Sequence, residues 1–144
     1  MSLKEDIETA INAGESARER EPKAQEEFFE KWLTARMPIL EKLQEAAEIF
    51  SARFGRKSAA DRDNGAIFLN VNRDGKNYRL TLKADKVSKE IECSVNFPEG
   101  GNPKFRPVDS FTESATVQML TDFAYAVAWA KPGSGGMVNL LGKV

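Results

Sequence analysis

The sequence predicts an α+β fold, a two-layer sandwich with a three- or four-stranded antiparallel meander on one side. A long N-terminal helix, kinked at Pro38, and a C-terminal helix form the other layer. Three observations predict it. Residues 23–54 lack glycine and repeat apolar side chains every three or four positions. Residues 66–97 alternate apolar with polar side chains, and residues 113–130 return to the helical period. At 144 residues, 41% hydrophobic and 30% charged, the chain is long enough to bury one core without disulfides or metals. One domain over 1–144 is expected, with 1–22 a loosely attached helix and 133–144 a flexible tail.

Residues 3–21 read as a polar helix with a thin apolar stripe, Leu3, Ile7, Ala10 and Ile11, stopped by Pro22. The helix that follows is stronger. Phe29, Leu33, Leu40, Leu43, Ala47, Phe50 and Phe54 recur at steps of three and four, broken by a polar gap at Arg36. A second stripe, Phe28, Trp32, Ile39, Ala46 and Ile49, widens the face to suit packing on both a sheet and another helix. Pro38 removes a backbone donor and crowds the preceding turn, so a kink is expected there. Residues 23–54 as one helix would span about 48 Å, against a radius of gyration of roughly 15 Å for a domain of this size. Part of the helix should overhang the sheet, and that overhang is the reason to expect a homodimer.

Gly55 to Gly65 reads as a basic, polar loop. Three strands follow, with Ile67, Leu69 and Val71, then Tyr78, Leu80, Leu82 and Ala84, then Ile91, Cys93, Val95 and Phe97 on one face. Asp74-Gly75 supplies the first tight turn and Val87-Ser88-Lys89 the second reversal. A short strand over 104–108 should return along an edge, where Pro107 is tolerated. Ser110 and Glu113 have capping-box spacing, with Thr112 a rival cap. The last helix, 113–130, should bury Val117, Leu120, Ala124 and Val127, widened by Phe123 and Ala128.

Chemistry is constrained by what the chain lacks. Histidine is absent, which excludes Ser-His-Asp and Cys-His catalysis and His-ligated zinc. Cys93 is the single cysteine, placed on an inward strand face where thiols are inert. Residues 70–75 open like a calcium loop, but Thr81 stands where the bidentate carboxylate belongs, so a hairpin turn is the reading. Gly133–Gly136 lacks the strand and helix that frame a phosphate loop. Glu26-Glu27 and Glu45/Glu48 read as solvated helix surface. No enzyme activity, cofactor or metal is expected.

Net charge is −1 but unevenly spread. Residues 1–50 carry seven Lys/Arg against twelve Asp/Glu, and residues 51–106 carry twelve against seven. Complementarity within the molecule or across an oligomer is the simplest account. The leading expectation is a non-enzymatic interaction or assembly module, homodimeric through the long helix and able to bind another protein. A second class is a small apolar-ligand or lipid-binding domain, its pocket lined by Trp32, Phe50 and Leu82 between sheet and helices. The third is a weak nucleic-acid binder through Arg79 and Lys83 on the polar sheet face, aided by the basic 53–62 loop. The apolar segment Met137–Leu141 could dock on another subunit. The charged N-terminus, the lone cysteine and the shortness of the longest apolar run, 123–130, point to the cytoplasm and away from membranes.

Overall fold

The computed structural model describes residues 2–55 and 57–130. The first helix, α1 (Leu3–Phe54), runs unbroken for 52 residues, about 78 Å at 1.5 Å per residue. Ser2 caps it by accepting the Glu5 amide at 3.2 Å, and Glu5 and Asp6 suit the positive end of the helix dipole. At the other end Gly55 takes the left-handed conformation, φ 69°, and donates to the Ser51 carbonyl.

One helix therefore replaces the expected two, because Pro22 does not stop it. A proline costs its own amide and crowds one turn. Here Glu, Ala, Arg, Lys and Gln on both sides are strong helix formers, and the Glu21 carboxylate accepts from Gln25 across the site at 3.2 Å. The helix also continues through Pro38, where Ile39, Leu40 and Leu43 are anchored in the core.

Among the described residues the sheet has five strands, β1 (Ala59–Asp63), β2 (Ala66–Arg73), β3 (Lys76–Asp85), β4 (Glu90–Val95) and β5 (Lys104–Arg106). They lie in chain order, each antiparallel to its neighbour. The extra strand is β1, inside the stretch expected to be a loop. Its sequence, Ala-Ala-Asp-Arg-Asp, carries no large apolar residue, so its period is invisible. The turn that makes it is nevertheless written down. Asn64-Gly65 joins Asp63 to its partner Ala66, with Asn64 at φ 45°. Asp74-Gly75 forms the next hairpin as expected, both residues at positive φ.

Ile67, Leu69, Val71, Tyr78, Leu80, Leu82 and Ile91 form the buried sheet face. Trp32, Ile39, Leu40, Leu43, Ala47 and Phe50 of α1 cover it, while Ile49 lies on the outside of the helix, contrary to the expected second stripe. The second helix, α2 (Glu113–Trp129), is capped by Thr112, whose hydroxyl accepts the Ala115 amide at 3.1 Å. Ser110 instead donates to the Pro107 carbonyl, so the Ser110/Glu113 box does not form.

The buried positions of α2 are Thr116, Phe123, Ala126 and Val127; Val117 is 47% exposed and Ala128 is exposed, which corrects the expected stripe. Thr116 can occupy the buried position because its hydroxyl donates to the Thr112 carbonyl at 2.9 Å. A polar residue that satisfies itself within the helix reads as surface in a sequence. Side by side with the last turns of α1, α2 runs in the same direction. Lys42 pairs with Glu113 at 3.4 Å, and the Phe50 and Phe123 rings meet at 5.9 Å. Arg73 then holds the far end of α2 by donating to the Val127 and Ala128 carbonyls.

Candidate functional site

Among the described residues three surfaces are left once the core is closed. The first is the free part of α1. Every described residue from Ser2 to Arg20 is exposed, and the helix first meets the rest of the chain at Glu21. There the Lys89 ammonium donates to the Glu21 carboxylate at 2.6 Å, and Lys86 sits 4.5 Å from the Phe29 ring. The Lys89 hydrogen bond holds the Glu21 carboxyl below its ordinary range. Beyond this clasp the helix projects about 27 Å, carrying Leu3, Ile7 and Ile11 at 75%, 48% and 53% exposure. At 100° per residue these three share one face with Ala10 and Gly14.

The second surface is a groove of about 450 Å³ between α2 and the β4–β5 edge. Its floor is Leu80, Val95, Phe123 and Ala126, with Phe111 and Met119 along the sides. One wall is the flank of α2 turned away from α1, with Gln118, Asp122 and Tyr125. The opposite wall is β5. Lys104 and Arg106 stand opposite Cys93 and Ile91, so both cations fall on the core-facing side of an edge strand. Inward charge on a short edge strand discourages further strands from adding there. Glu99 closes one end, on the turn Pro98–Gly100. That turn lies hard against the sheet, since a Cβ on Gly100 would stand 2.3 Å from Val95 Cγ2. Cys93 lines the groove with its thiol pushed up to about 11, chiefly by burial. It is protonated at neutral pH and a poor nucleophile.

The third surface is the outer sheet face. Arg79 lies 4.6 Å over the Phe68 ring and donates to Asn70 Oδ1 at 2.7 Å. Lys83 is exposed, beside Glu92 in register. Asp61 and Asp63 of β1 share this face, so the two cations sit in a mixed field.

Trp32, Phe50 and Leu82 come together, but in the solid core. Trp32 and Leu82 are fully buried, Phe50 packs on Phe54 and Phe123, and none of the three lines the groove. Arg79 and Lys83 lie on the opposite side of the sheet from them. What the pattern of apolar residues missed is Arg36, one turn from Trp32 on α1, and the hydrogen bond of the Trp32 indole. Trp32 Nε1 donates to the Gly65 carbonyl at 2.9 Å, and Arg36 donates to the Asn64 and Ala66 carbonyls. The polar gap in the stripe is thus the clamp on the β1–β2 turn, and burial lowers the Arg36 pKa.

Glu26, Glu27, Glu45 and Glu48 are exposed. Among the described residues no group of three His, Cys, Asp or Glu is placed to hold a metal, and no helix is long and apolar enough to cross a membrane. The glycine cluster 133–136 and the segment 137–141 lie outside the described residues. Comparison with protein-family models, curated proteins and solved structures finds no match for this chain.

Proposed function

We propose that this protein is a non-enzymatic interaction and assembly module, homodimeric through the projecting part of α1. The observation that carries the reading is the exposed stripe of Leu3, Ile7 and Ile11 on a helical segment that no other described residue covers. A helical arm of about twenty residues is marginal alone in water and gains its stability from packing an apolar face. Burying these three side chains on two copies gives about 5–9 kcal/mol, taking half of the full burial value of each. That is the order needed to offset an association cost of about 4–15 kcal/mol.

Charge supports the same reading. The Glu21–Lys89 pair joins the acidic half of the chain to the basic half, but Lys31–Asp109 and Lys42–Glu113 tie α1 to the acidic C-terminal part. The acids of the arm are left for another molecule. We assign the cytoplasm as the working compartment, because the lone Cys93 has no partner in the sequence for a disulfide.

Sedimentation of the full chain at micromolar concentration tests the proposal. A dimer is expected, converted to monomer by Leu3→Ser/Ile7→Ser/Ile11→Ser with the circular dichroism of residues beyond the arm retained. A wild-type monomer, or a triple variant that stays dimeric, overturns it.

A further inference from the structure

We infer that the arm of one copy docks in the α2–β5 groove of a second copy, and that the two copies exchange arms reciprocally. This rests on the dimer reading above and names the surface that receives the arm. Among the described residues there are two unpartnered apolar surfaces of matching form. One is a helix with anchors at i, i+4 and i+8, Leu3, Ile7 and Ile11. The other is a trough whose α2 flank continues into Tyr125 and Trp129, 72% and 64% exposed. An amphipathic helix laid in an apolar groove reads out such i, i+4 spacing.

The arm cannot reach its own groove. Leu3 lies about 44 Å along the helix from Trp32, at 1.5 Å per residue, and α1 has no break at which to fold back. The groove belongs to the part of the domain beside residues 32–50, where its Phe111 meets Trp32 and its Phe123 meets Phe50. Only another molecule can bring the two together.

Charge sets the occupant and its orientation. Residues 3–15 hold Lys4 against Glu5, Asp6, Glu8 and Glu15, a net of −3. Glu8 and Glu15 lie seven residues apart on one flank of the stripe, with Lys4 one turn before Glu8 on the same flank. The β5 wall offers Lys104 and Arg106, neither of whose side chains has an ion pair or hydrogen bond with another described residue. The α2 wall holds Asp122 and the end holds Glu99, so the acidic flank of the arm turns toward β5. A two-fold pair makes each contact twice, and the exchange closes the assembly at two.

The test uses full-length chains in a Cys93→Ser background, so that each carries one introduced thiol. Ile7→Cys chains are mixed with Gln118→Cys chains and oxidised. Gln118 lies on the exposed groove wall. The expected product is a mixed 7–118 disulfide that forms only in the mixture. In otherwise wild-type chains, Lys104→Glu/Arg106→Glu should weaken the dimer about tenfold or more, and Glu8→Lys/Glu15→Lys in the same chain should restore it. If the Ile7→Cys chains link only to themselves, the arms pair with each other; this inference then fails while the dimer reading stands. A protein that sediments as a monomer overturns both. A dimer that forms but gives no 7–118 product, or one indifferent to the charge reversal, overturns the docking alone.

Discussion

Replacing Trp32 by phenylalanine isolates the contact that seats α1 on the first hairpin. The indole is fully buried, lies 6.0 Å from the Phe111 ring, and donates to the Gly65 carbonyl at 2.9 Å. That carbonyl also accepts the Ala84 amide at 3.0 Å, so it is not orphaned when the indole nitrogen goes. The loss is then one net hydrogen bond, about 1 kcal/mol, without the further penalty of an unsatisfied buried acceptor. The missing half of the bicycle leaves a void of at least methyl size, about 1 kcal/mol more. Trp32→Phe should therefore cost about 2 kcal/mol, and Trp32→Ala about 4 kcal/mol. With a urea slope of about 2 kcal/mol/M, the midpoint falls by about 1 M and about 2 M respectively. Urea titration followed by far-ultraviolet circular dichroism, at one fixed protein concentration, measures both. A Trp32→Phe midpoint within about 0.3 M of wild type would refute the claim that this side chain clamps the hairpin.

Three further outcomes rest on other contacts of the fold. Gly100→Ala should destabilise by about 1–3 kcal/mol, because the added methyl meets the branched Val95 side chain at 2.3 Å; thermal unfolding reads it, and an unchanged midpoint refutes the tight turn. Glu21 should titrate below the ordinary 4.5 in a side-chain carboxyl nuclear magnetic resonance titration, and Lys89→Ala should return it there. Its folded pKa is depressed, so the stabilisation from this pair is complete above about pH 4.5 and is lost as pH falls through the lower folded value. Cys93 has the opposite sign. Its thiol is raised from 9.0 to about 11, so the folded state holds the proton longer than the unfolded chain, and stability declines as pH rises from 9 toward 11. Cys93→Ala should flatten that alkaline decline, and maleimide labelling of the native protein should be far slower than after unfolding.

Element types were legible in the chain wherever period and burial coincide. Ile67, Leu69 and Val71, and Tyr78, Leu80 and Leu82, alternate because one side of the sheet is dry and the other wet, and that difference is written residue by residue. Asp74-Gly75 was legible for a similar reason: its backbone requires positive φ at both positions, which few residue pairs tolerate. Of the candidate surface, an overhang was expected of residues 23–54, whereas the projecting part is 2–20, joined to them because Pro22 does not end the helix.

The tertiary structure decided the rest. The strand β1 carries no apolar period of its own and exists because Trp32 and Arg36 hold its turn and β2 supplies its hydrogen bonds. Pro22 marks a stop only if local cost decides, and here the good helix formers around it outweigh one lost amide. Which flank of α2 faces α1 turned on Thr116 satisfying its own hydroxyl, and that choice left Tyr125 and the groove on the open side. A groove is a relation between distant segments. Leu80, Lys104 and Asp122 share no spacing that a chain read in order could reveal, because the force that gathers them is the burial of their neighbours.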